Sequence, residues 1–120
     1  MGAIAVSHLN VLAQENALNN LQTKLQVIMD RRQYLAAQTG RLANEKAGLF
    51  QQVGENGRGD EARLGNVQAR ESNLNQIDKM LDIQEKQVSM QIQIAEKRVE
   101  QAEKMRDKGI EKGFKGPGGN

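Results

Sequence analysis

Cysteine and tryptophan are absent from this chain, and its one proline is Pro117. The first absence excludes disulfides, thiolate metal sites and a cysteine nucleophile, although it leaves the redox compartment open. Aromatic residues are limited to Tyr34, Phe50 and Phe114, too few for the broad core expected of a globular domain of 120 residues. Apolar runs are short as well. None reaches the roughly 18 residues that a membrane-spanning helix needs. The start of the chain, broken by Ser7, His8 and Asn10, has neither the basic end nor the apolar stretch of a secretory signal. Gly2 is followed by Val6 where a myristoylation motif needs a hydroxyl. A surplus of one charge is also missing: 17 basic and 15 acidic residues leave a formal charge of +2. Such a balance lacks the electrostatic footprint of a nucleic-acid binder.

The chemistry of catalysis is equally thin. His8 is the only histidine, with no second ligand to share a metal. No glycine-rich loop ends in the Lys-Ser/Thr of a phosphate cradle. Carboxylates such as Asp82 and Glu100 stand one helical turn from Lys86 and Lys104, the pattern of a solvated face. These features predict a protein that is not an enzyme and carries no cofactor or metal. The tripeptide Arg58-Gly59-Asp60 is read as turn chemistry.

What the chain does have is helical periodicity. One column of apolar residues holds Ile4, Val11, Leu18 and Leu25, and a second holds Leu21, Ile28, Leu35, Leu42 and Leu49. A seven-residue repeat in two such columns makes one face of a helix, predicted over about 4–53. The first column lapses at Arg32, Thr39 and Lys46, where Ala36, Ala43 and Ala47 would let another helix approach closely. Gly40 and Gly48 cost about 1 kcal/mol each relative to Ala, which suggests packing or bending there.

Residues 54–60 contain three glycines and Asn56 and predict a turn, with Gly54 closing the first helix and Asp60 capping the second. The second helix is predicted over about 61–113. Its apolar residues recur every 11 positions, as Ile77, Val88, Val99 and Ile110, with Ile83, Ile94 and Met105 in a further column and Leu81 and Ile92 in a third. That period suits a straight or slightly right-handed stripe. Four of the five methionines lie inside the two helices among Ile, Leu and Val and are read as core filling. Arms of some 50 residues, on the order of 75 Å each at 1.5 Å per residue, favour folding back into an all-α hairpin of two long antiparallel helices, a single domain over 1–120 with a flexible tail over 114–120.

A two-helix hairpin with so little bulky core is marginal by itself and is expected to assemble into a larger helical oligomer. Its expected interface comprises Leu18, Leu21, Leu25, Ile28, Leu35, Leu42 and Leu49 of the first helix. Leu74, Ile77, Leu81, Ile83, Val88, Ile92, Ile94, Val99, Ile110 and Phe114 are its counterparts in the second. The carboxyl end, Ile110-x-x-x-Phe114-Lys115 closing a long amphipathic helix, resembles that of type III secretion needle subunits. These are helical hairpins that polymerise into a hollow filament. The absence of Cys and Trp, abundant Gln, Asn and Ala, a helix at each end and the lack of a cleavable signal are similar to those subunits and to flagellins. The resemblance implies copies of the chain as partners, an export apparatus, and a cell-surface or extracellular location. It would place Lys108, Lys112 and Lys115 near a lumen. The leading expectation is thus a structural subunit of a filament or tube. The alternative is an intracellular, cytoplasmic coiled-coil adaptor or chaperone-like binder, closed as a dimer or four-helix bundle.

Overall fold

The chain is all-α, two long helices forming a hairpin, in a computed structural model. Described are the backbone of residues 2–56 and 58–115 and the side chains of residues 2, 5–52 and 61–109. Helix α1 spans Gly2–Asn56 and α2 spans Arg58–Lys115, and no strand occurs among the described residues. The break between them is narrower than composition suggests. Helix α1 continues through Gly54 and α2 already includes Asp60, so neither residue has the terminal position expected of it. Each further helical residue closes another backbone hydrogen bond, and that gain carries a long helix through a glycine costing about 1 kcal/mol. Gly57, the side chains of residues 53–60 and the tail from residue 116 lie outside the described residues.

Packing divides the chain into two units, Val27–Glu85 and Met1–Gln26 with Lys86–Asn120. Among the described residues of Val27–Glu85, Ile28, Leu35, Leu42 and Leu49 of α1 and Val67 and Leu81 of α2 are buried. Leu64 and Leu74 pack on the cluster of Leu42, Leu49 and Val67. In the other unit Val11 is buried with Val88, Ile92, Ala95 and Ala102, flanked by half-buried Leu18, Leu21, Leu25 and Val99. Ser7 Oγ lies 3.8 Å from where a Cβ on Gly109 would sit, so small residues bring the helices close there.

The seam is patterned in sevens on both helices. In α2 the column is Val67, Leu74, Leu81, Val88, Ala95 and Ala102, buried or half-buried throughout. Of the 11-residue columns, Leu81 with Ile92 and Val88 with Val99 contribute to this packing, whereas Ile77, Ile83, Ile94 and Met105 are left exposed. A helix laid against a partner repeating every seven residues buries the face that keeps step with it. Ala36, Ala43 and Ala47 are exposed rather than filling the seam.

No neighbouring atom lies within 4 Å of a Cβ built on Gly40 or Gly48, so no close contact calls for glycine at either site. Gly40→Ala with Gly48→Ala should therefore stabilise the hairpin by about 1–2 kcal/mol together, through helix propensity and a less free unfolded chain. An unchanged or lower midpoint in thermal unfolding followed by circular dichroism would contradict this.

Candidate functional site

Where the first apolar column of α1 lapses, charge takes its place. Arg32 Nε donates to Asp78 Oδ1 at 3.2 Å and its Nη1 to Asp82 Oδ1 at 3.2 Å, while Nη1 also pairs closely with Glu85 Oε2. Two heptads further along α1, Lys46 Nζ lies 3.2 Å from Glu71 Oε1 and 5.8 Å from the Phe50 ring centroid. Between them, Thr39 Oγ1 donates to the Leu35 carbonyl at 2.9 Å. The hydrogen bonds to Glu85 and then Asp78 hold the Arg32 guanidinium still further above the ordinary arginine range, against a smaller opposing effect of desolvation. It stays a cation at any working pH.

This ionic layer has a counterpart on each helix. Arg32, Thr39 and Lys46 are spaced by sevens in α1, and Glu71, Asp78 and Glu85 by sevens in α2. Partly exposed ion pairs contribute little to stability individually. Their stronger effect is on register: sliding α2 by a heptad can bring Leu64 into the place of Glu71 opposite Lys46, leaving a cation against an apolar position. The signal was present in the sequence, as a lapse in one column matched by acidic residues in the other.

Two faces of Val27–Glu85 remain open. On one, a groove of about 540 Å³ is lined mainly by Val27, Tyr34, Leu35, Leu74, Ile77 and Leu81, with Asp30, Arg31 and Gln38 at its rim. A second groove of about 340 Å³ adjoins it, sharing Gln38 and Leu74 and adding Arg41, Leu42, Glu45, Arg70 and Asn73. Tyr34 is 66% exposed, and its hydroxyl accepts a hydrogen bond from Gln38 Nε2 at 3.0 Å. Arg70 Nη2 lies 3.4 Å from Glu45 Oε1. The other face carries Arg32 and its carboxylates, with Met29 and Ile83 lining the hollows beside them.

The residues expected to form an assembly interface thus fall into separate groups. Ile28, Leu35, Leu42, Leu49, Leu81, Val88 and Ile92 are buried, and Leu18, Leu21, Leu25, Leu74 and Val99 are half-buried. Ile77, Ile83 and Ile94 are exposed, whereas the side chains of Ile110 and Phe114 lie outside the described residues. Periodicity passed over Val27 and Tyr34, which are exposed and line the same groove as Ile77. Met29, Met80, Met90 and Met105 are exposed too, a correction to their reading as core. Flexible methionines on a surface suit contact with another chain.

Among the described residues, no group of three or more His, Cys, Asp or Glu could hold a metal ion, and no helix is long and apolar enough to cross a membrane. No protein-family model matches the chain, and searches of curated proteins and of solved structures give no significant match.

Proposed function

We propose that this chain is a structural subunit that assembles with copies of itself through its helices, acting through surfaces rather than catalysis. The observation that carries this reading is the apolar surface left after the intrachain seam is closed. Val27, Tyr34 and Ile77 stand on one face of Val27–Glu85, and Met29 and Ile83 on the other. In the second unit Val6, Leu9, Met90, Ile94 and Met105 are exposed. Exposed apolar groups on more than one side favour contacts that repeat from subunit to subunit over a single closed interface. The needle-like carboxyl end supports the same reading, and with it export and a surface location.

Sedimentation velocity over a range of concentrations, with negative-stain microscopy, tests the proposal. Regular filaments are expected, lost in both Ile77→Asp and Ile83→Asp while far-ultraviolet circular dichroism remains helical. A discrete oligomer disrupted by only one of the two substitutions would replace the filament with a closed bundle. A monomer at every concentration would end the self-assembly reading altogether.

A further inference from the structure

We infer that the paired grooves of Val27–Glu85 receive a second copy of the chain, packed across α1 on a two-fold axis near Gln38, with Tyr34 of each copy in the other's Gln38–Glu45 groove. The inference rests on the self-assembly reading and names one of its interfaces.

Three observations select this occupant. First, a projection and a recess lie side by side on one face. Tyr34 is 66% exposed and anchored by Gln38, one turn from a recess floored by Leu42 and Leu74 and edged by Arg41 and Arg70. A two-fold contact needs this arrangement, since each copy must offer what the other accepts. Second, an aromatic ring suits that recess: aliphatic side chains meet its face, and guanidinium groups are attracted to its π-system.

Third, opposite charges stand at equal distances from Gln38 along α1. Arg31 precedes it by seven residues and Glu45 follows it by seven. Antiparallel apposition of two α1 helices with Gln38 at the axis sets Arg31 level with the partner's Glu45, and the two-fold repeats that opposite pair on the other side. Parallel apposition would set like against like. Glu45 already meets Arg70 at 3.4 Å, and a carboxylate can accept from a second arginine. Charge therefore favours the same antiparallel pairing that lets the tyrosines exchange.

Because the chain has no cysteine, a single introduced thiol can form a disulfide only with another copy. Gln38→Cys should yield a covalent dimer under mild oxidation at least about tenfold faster than Gln33→Cys, which lies on the opposite face. Tyr34→Ala should weaken association by about tenfold or more, as truncation of a buried aromatic anchor does. Arg31→Glu should weaken it as well, and Arg31→Glu with Glu45→Arg should recover it. Helicity is checked for each variant. Association with equal cross-linking at both cysteines would overturn this interface and leave self-assembly standing. A closed dimer cross-linked through Gln38→Cys would support the interface while removing the filament. A monomer throughout would overturn both.

Discussion

Val88→Asp is expected to cost about 3–5 kcal/mol, the range for an uncompensated charge in a buried setting. Val88 is 3% exposed and lies in the seven-residue column of α2, one turn from Ile92 and two from Ala95, both also buried. Small domains are commonly stable by only about 5–15 kcal/mol. A two-helix seam belongs near the bottom of that range, so most of the helical signal should melt near room temperature. Met90→Asp, two positions away at 63% exposure, should stay within about 0.5 kcal/mol of the parent. Thermal unfolding by circular dichroism at low protein concentration compares them. Equal losses would mean that the seam does not run through Val88.

Reversing the charge at Arg32 has the next largest expected effect. Arg32→Glu would put a fourth carboxylate beside Asp78, Asp82 and Glu85, where the guanidinium now makes three contacts. The midpoint of unfolding should fall further than in Arg70→Glu, whose partner pair with Glu45 is about half exposed on both sides. Much of the loss should return on adding Glu85→Arg, which re-creates an opposite pair at the same level. It should also shrink in about 1 M salt, where charges are screened beyond roughly 3 Å. A variant that melts with the parent would deny the ionic layer its role in setting register.

How far the sequence leads differs between the two helices. In α1 the column Ile28, Leu35, Leu42 and Leu49 is legible because a bulky aliphatic residue recurs at every seventh position without interruption, whereas Val27, Met29 and Tyr34 beside it belong to no such unbroken column. The structure buries that face. In α2 the aliphatic residues spread around much of the helix, so several stripes compete. Ala95 and Ala102 carry little hydrophobic weight in a pattern search, yet they are buried while the bulkier Ile94 and Met105 are exposed. Arg32 and Lys46 likewise read as interruptions until Glu85 and Glu71 are brought opposite them.

Composition and local periodicity by themselves determined that the chain is helical, that it divides within residues 54–60, and that it lacks the cysteine and glycine-loop chemistry of familiar catalytic sites. Those properties depend on propensity and near-neighbour spacing along one strand of chain. Only the tertiary structure decided which side of α2 closes against α1, which charges share the seam, and that Tyr34, Ile77, Met29, Met80, Met90 and Met105 remain available to another molecule. A broad apolar stripe satisfies water's exclusion equally well in several orientations, and the choice among them belongs to the helix packed against it.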